Sequence, residues 1–183
     1  MARVILAPRW GATDEDDWYP WLRRELGEVS VARLLPNPGA PEIDACVIEL
    51  ERLVGDDRDA VLVGHSVGCQ IVLRYLDKQG HRMPHVLCVA GWFWIDEPWP
   101  TILPWIETPI DWARVRHAAG QVRVLLSDDD PFTSDYQSNA AAWRERLGAQ
   151  VEIQPGARHF NRVEEPFVLA SLVQSARSSV TGK

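Results

Sequence analysis

Apolar residues fall along the chain in two alternating rhythms. Short runs rich in strand-forming residues occur at residues 3–7, 29–34, 60–63, 85–90, 122–126 and 151–153, and the fully apolar stretches suit strands buried on both faces of a parallel sheet. Between them, polar and apolar positions follow a helical period at residues 16–26, 43–54, 67–79, 134–147 and 165–176. Gly27, Gly55, Gly80 and Gly148 stand just past four of these stretches, where a left-handed helix stop favours glycine. Strand followed by helix, repeated in this way, predicts an α/β three-layer domain with a central, mostly parallel sheet and right-handed crossovers. Ligands in such sheets gather outside the carboxyl ends of the strands, so the residues that follow each strand are the ones to read for chemistry.

The segment 91–111, GWFWIDEPWPTILPWIETPID, breaks both rhythms. Its four prolines work against a regular helix, yet its aromatics are costly to leave in water. Five of the nine tryptophans fall between positions 92 and 112. The segment reads as an aromatic loop folded over the ligand-binding edge, with Trp92, Trp94 and Trp105 lining a small substrate pocket or, on the plainer reading, completing the core.

Composition narrows the class. A chain of 183 residues that is 46% hydrophobic can bury a core as one soluble domain, expected over residues 1–183. The formal charge of −7, with Lys and Arg scattered, gives no basic stripe for nucleic acid. The amino-terminal apolar run reaches Pro8-Arg9-Trp10 too soon for a signal peptide, and no stretch is long enough to span a bilayer. The expectation is a cytoplasmic protein with no membrane or nucleic-acid partner, a monomer or small homo-oligomer. Cys46, Cys69 and Cys88 have no metal-ligand spacing and suit reduced, buried thiols, so no metal or other cofactor is expected.

Residues 62–68 read LVGHSVG. A strand, then Gly64-His65-Ser66-Val67-Gly68, then a helix is the context in which a G-x-S-x-G turn exposes a nucleophilic serine. Such a turn holds the serine in a strained conformation, and a side chain at Gly64 or Gly68 would strike the adjoining strand or helix. The Val67 N–H, opening the helix, can then face a developing oxyanion. The plainer reading makes Ser66 the helix N-cap.

A serine hydroxyl needs a base, and the base needs a carboxylate to fix its tautomer. Of five histidines, His159 stands apart: it lies in Pro155-Gly156-Ala157-Arg158-His159-Phe160, after the last strand and before the last helix. His65 is expected to point away from the site, and His81, His85 and His117 flank turns or helix ends. The acid is one of Asp128, Asp129 and Asp130, which follow the 122–126 strand. Three adjacent like charges cannot all be buried cheaply, so one faces the histidine while the others are solvated or cap backbone N–H groups.

With these residues in view the chain resembles the small α/β-hydrolases typified by retinoblastoma-binding protein 9 and its bacterial YdeN-like relatives. The likeness rests on Asp17-Trp18-Tyr19-Pro20-Trp21-Leu22, Val63-Gly64-His65-Ser66, Arg74-Tyr75, Asp111-Trp112 before a helix, Ser127-Asp128-Asp129-Asp130-Pro131-Phe132 and His159-Phe160-Asn161. It implies a minimal α/β-hydrolase fold without a separate cap domain. It also implies a triad of Ser66, Asp130 and His159, and it selects Asp130, just before the proline, as the acid. The second oxyanion donor would come from the loop after the first strand, here the Trp10 N–H. Two departures stand out. Arg9 occupies a glycine position beside that donor, where it would either crowd the site or offer a cation to an acidic substrate. Ala157-Arg158 replaces the Gly-Gly or Cys-Gly pair that often precedes the histidine.

The reaction expected from this set is hydrolysis of a small ester or related acyl compound through an acyl-enzyme. The alternatives are a non-catalytic interaction module on the same fold, favoured by the two arginines, and acyl transfer or thioester hydrolysis.

Overall fold

The computed structural model of the chain describes residues 2–178; residue 1 and residues 179–183, part of the domain expected over 1–183, lie outside them. Six strands form one sheet: β1 (Val4–Ala7), β2 (Val29–Val31), β3 (Val61–His65), β4 (Met83–Val89), β5 (Ala119–Ser127) and β6 (Gln150–Gln154). Their order is β2-β1-β3-β4-β5-β6, and every neighbouring pair is parallel. The helices are α1 (Tyr19–Leu26), α2 (Ile43–Val54), α3 (Val67–Lys78), α4 (Leu103–Glu107), α5 (Trp112–Ala118), α6 (Tyr136–Leu147) and α7 (Pro166–Ser178).

Strand alternation splits the core into two layers. Ile5, Leu62, Val86 and Val124 point to one face, where they meet Leu50 of α2, Ile71 of α3, Val115 of α5 and Trp143 of α6. Val4, Leu6, Val63, Val89 and Leu125 point to the other and meet Tyr19 and Leu22 of α1 and Val168 and Leu172 of α7. This is the period-two geometry of a strand in a sheet covered by helices on both sides. The three-layer α/β-hydrolase fold is therefore present, and among the described residues no separate cap domain is inserted.

The elements differ from the sequence expectation where prolines and tertiary packing intervene. β2 stops at Val31, short of residue 34: after the Ala32 N–H bonds the Leu6 carbonyl at 2.7 Å, the chain leaves the sheet edge and carries Leu34 into the core. Pro36 and Pro38, without N–H groups, cannot continue an edge ladder. Within 91–111, a five-residue helix, α4, forms after all, with Pro104 in its first turn where a missing N–H costs nothing. Asp111 caps α5 by accepting from the N–H groups of Ala113 and Arg114.

The three cysteines are free and buried. No helix among the described residues is long and apolar enough to cross a membrane.

Candidate active site

Ser66 links β3 to α3 with φ 56° and ψ −117°, a conformation that costs a non-glycine residue of order 1–3 kcal/mol and persists only where its surroundings enforce it. The two motif glycines make the turn possible. A Cβ on Gly64 would come within 2.5 Å of the Cys69 backbone in α3, and one on Gly68 within 1.9 Å of the Ala7 carbonyl at the end of β1. The Ser66 side chain makes no capping bond to the helix. Its Oγ instead accepts from the Trp92 indole Nε1–H at 3.3 Å. As the first residue of α3, Val67 has no acceptor for its N–H within the helix.

The acid turn after β5 divides its three carboxylates by task. Asp130, 6% exposed, accepts from His159 Nδ1–H through Oδ2 at 2.7 Å and from the Phe132 N–H through Oδ1 at 2.9 Å. Asp128 accepts from the Gly156 N–H at 2.9 Å, and Asp129 accepts from the Arg158 N–H at 2.7 Å. Both therefore anchor the loop that carries His159. The Ser127 hydroxyl and the Arg158 N–H together hold the Asp129 carboxyl below the usual carboxylate range.

His159 is 5% exposed, with the Phe132 ring edge-on at 4.7 Å. Its neighbours Arg158 and Phe160 have φ of 51° and 54°, a left-handed backbone that favours glycine. Arg158 adopts it with its side chain in solvent, clear of the base. The five non-glycine residues with positive φ among the described ones are Asp17, Ser66, Ala90, Arg158 and Phe160. All lie in the segments that build this edge of the sheet.

Arg9 neither crowds the site nor stands free. Its Nε and Nη2 donate to the two Asp17 carboxylate oxygens at 2.6 and 3.2 Å, and Nη1 donates to the Trp10 carbonyl. Burial is the largest single influence and works against the guanidinium charge, but the Asp17 hydrogen bonds and the negative charges of Asp17 and its neighbours together outweigh it and hold the Arg9 pKa above its ordinary value.

Ser66, Val67 and His159 open onto one cavity of about 290 Å³, walled by Arg9, Trp10, Trp92, Ile95, Trp99, Ile102, Phe132 and Asn161. Of the three tryptophans expected to line it, Trp92 does. Trp105 is corrected to the core: it is 1% exposed and its indole N–H bonds the Pro41 carbonyl. Trp94 is corrected to the surface at 36% exposed. The reason is backbone direction: Ala90 at φ 49° turns the chain so that Trp92 faces Ser66, while Phe93 packs on Trp143 and Trp94 faces outward. Trp99 and Trp10, which meet edge-to-face at 5.2 Å, form the wall that Trp94 and Trp105 do not. Among the described residues no group of histidine, cysteine and carboxylate side chains could hold a metal ion.

A family model described as "Serine hydrolase" matches residues 4–167. The chain belongs to the serine hydrolase family. YdeN of Bacillus subtilis (strain 168) is 24% identical over 190 residues, 99% of this chain and 97% of its own. Two solved structures extend the likeness at the level of fold. The B. subtilis ydeN gene product superposes with a TM-score of 0.83 at 20% identity, covering 97% of this chain and 100% of that one. A carboxylesterase structure from the thaumarchaeon Nitrososphaera gargenis gives 0.70 at 12% identity, covering 98% and 91%. The serine hydrolase match spans the elbow, the acid turn and the loop of His159.

His65 is the residue that sequence reasoning set aside and the fold brings in. It is completely buried, yet its Nε2 lies 2.8 Å from the His159 carbonyl and its Nδ1 2.8 Å from the Tyr19 hydroxyl. A histidine at the end of an otherwise apolar strand was the available signal, since such a residue must find hydrogen-bond partners when buried.

Proposed function

We propose that this serine hydrolase cleaves a small, uncharged ester or related acyl compound through an acyl-enzyme. The observation that carries the reading is the buried His159–Asp130 hydrogen bond of 2.7 Å in the cavity onto which the strained Ser66 also opens. Ser66 Oγ attacks the carbonyl carbon while His159 takes its proton, and His159 returns that proton to the leaving group. Asp130 holds the imidazole with Nδ1 protonated, which leaves Nε2 free to act as base. The N–H groups of Val67 and Trp10 hold the oxyanion. Water then attacks the acyl-enzyme by the same route in reverse.

Two features support an uncharged acyl group. The walls are mainly aromatic and aliphatic, and Arg9 is already engaged by Asp17 at two points. A substrate carboxylate would meet a guanidinium whose charge is already balanced by Asp17, 2.6 Å away and 6% exposed in its side chain, and would gain correspondingly little from it. The kinship with retinoblastoma-binding protein 9 belongs to the same reading and predicts the same reaction class.

The test is turnover of a series of nitrophenyl esters together with fluorophosphonate labelling. Wild type should label at Ser66 and release nitrophenol. Ser66→Ala should lose both, with a rate loss on the order of 10⁶-fold. Labelling that survives Ser66→Ala would defeat the reading. Product analysis with added alcohols or amines separates hydrolysis from acyl transfer.

A further inference from the structure

We propose that Tyr19 and His65 act as a buried positioning pair that ties the oxyanion loop after β1 to the loop carrying His159. The proposal rests on the catalytic reading above, because it assigns the pair the task of holding those two loops in register with Ser66.

Hydrogen-bond polarity runs one way through the pair. The His159 carbonyl can only accept, so His65 Nε2, 2.8 Å away, carries the proton. His65 is neutral: burial, followed by the proximity of His159, holds its pKa well below the ordinary value. Its Nδ1 is therefore an acceptor and takes the Tyr19 O–H at 2.8 Å. The Tyr19 oxygen, having spent its hydrogen, accepts the Arg9 N–H at 3.1 Å. Arg9 N–H, Tyr19 O–H and His65 Nε2–H thus point successively toward His159, and each donor has one acceptor. The Arg9 N–H belongs to the residue before Trp10, the assigned oxyanion donor. The last acceptor is the carbonyl of the base itself.

The surroundings make this arrangement rigid. Tyr19 and His65 are both 0% exposed, so water cannot substitute for a missing partner. Trp18, next to Tyr19, stacks beside the His65 ring at 5.5 Å and donates its indole N–H to the Phe160 carbonyl at 3.0 Å. Asp17 holds the Arg9 side chain and accepts from Asn161 at 3.4 Å. Each residue of Asp17-Trp18-Tyr19 therefore braces the oxyanion loop, the base loop or both. The imidazole also explains why His65, between Gly64 and Ser66, is polar in an otherwise apolar strand. A leucine there would leave the Tyr19 hydroxyl and the His159 carbonyl without their partner.

A positioning role differs from a packing role in which rate constant it moves. Tyr19→Phe removes one oxygen from a buried ring and leaves its packing in place. Loss of register of about 1 Å at a reacting centre costs on the order of 100-fold, so Tyr19→Phe should lower kcat by roughly 10- to 100-fold with KM within about 2-fold. His65→Gln keeps a donor and an acceptor and should retain more kcat than His65→Leu. Because both residues act through one connection, the Tyr19→Phe, His65→Gln double variant should fall little below the worse single variant. Nitrophenyl ester kinetics and the rate of fluorophosphonate labelling at Ser66 are measured for each, with circular dichroism to count only folded protein.

If wild type labels and Tyr19→Phe, folded, labels and turns over at the wild-type rate, the proposal is overturned and the catalytic reading stands. Additive losses, or a rise in KM at constant kcat, also overturn it. If His65→Leu fails to fold, the Tyr19→Phe and His65→Gln cycle still decides. Wild type that neither labels nor turns over overturns the catalytic reading, and the proposal with it.

Discussion

The two sides of the cavity are built by opposite means. On the polar side, the turn Ser127–Asp130 and the loop 155–161 hold each other through directional bonds: Asp128 to Gly156, Asp129 to Arg158 and Asp130 to His159. On the aromatic side, the segment after β4 offers the cavity shape in place of polar groups. Trp92, Trp99, Ile95 and Ile102 face the cavity, and the backbone is clamped from beneath by Gln70 and Arg74 of α3, which donate to the carbonyls of Trp92, Trp105 and Thr108. The lesson is a division of labour. Chemistry requires fixed angles and uses short, directional hydrogen bonds, with the one to His159 itself buried, whereas accommodation of an acyl group requires volume and uses large rings.

That contrast predicts how each side breaks. The largest loss should come from Asp130→Asn on the polar side. An amide can still bond His159, but it can fix the ring in the wrong tautomer, and an equivalent change in a serine protease triad costs about 10⁴-fold in kcat. Steady-state ester kinetics at constant pH, with fluorophosphonate labelling as a check on Ser66, measures it. A loss under about 10-fold would show that Asp130 merely caps the turn through its Phe132 N–H bond.

On the aromatic side, single changes should move specificity instead. Trp99→Ala removes the partner of Trp10 and opens the wall, so the kcat/KM ratio of a hexanoate to an acetate ester should rise by about 10-fold, within the range a pocket commands per contact. Trp94→Ala, at the surface, should leave that ratio within about 2-fold. Equal effects from both would mean that the tryptophans act through the stability of the whole segment and that the two sides are not distinct in kind.

The polar side was also the legible one. Gly64 and Gly68 betray the elbow because any larger residue collides with α3 or β1, a constraint written locally. The acid turn could be read to one of three carboxylates because like charges exclude one another, and the family likeness named Asp130. The aromatic side could not be read in the same way. Which tryptophan faces the cavity depends on the turn at Ala90 and on the short helix α4, and neither follows from a local pattern of apolar residues. The engagement of Arg9 by Asp17 was equally hidden, since it depends on how the start of α1 returns beneath the β1 loop. His65 escaped for a related reason. Its acceptor lies 94 positions away, and nothing in LVGHSVG reveals it.

The smallest effect tests the strain on the polar side. Arg158 stands at φ 51°, with its N–H held by Asp129 at 2.7 Å and its side chain in solvent. A glycine adopts this backbone freely, whereas a non-glycine residue in it costs on the order of 1 kcal/mol. Glycine also enlarges the unfolded ensemble, which takes back a few tenths to 1 kcal/mol. Arg158→Gly should therefore shift the melting temperature by no more than about 2–4 °C, the span of about 1 kcal/mol in a domain of this size. Activity toward nitrophenyl esters should stay within about 2-fold, because the guanidinium touches neither His159 nor the cavity. A large fall in kcat with an unchanged melting temperature would place the Arg158 side chain in the reaction and would blur the boundary between the bonded, angle-setting side of the cavity and its solvent-facing rim.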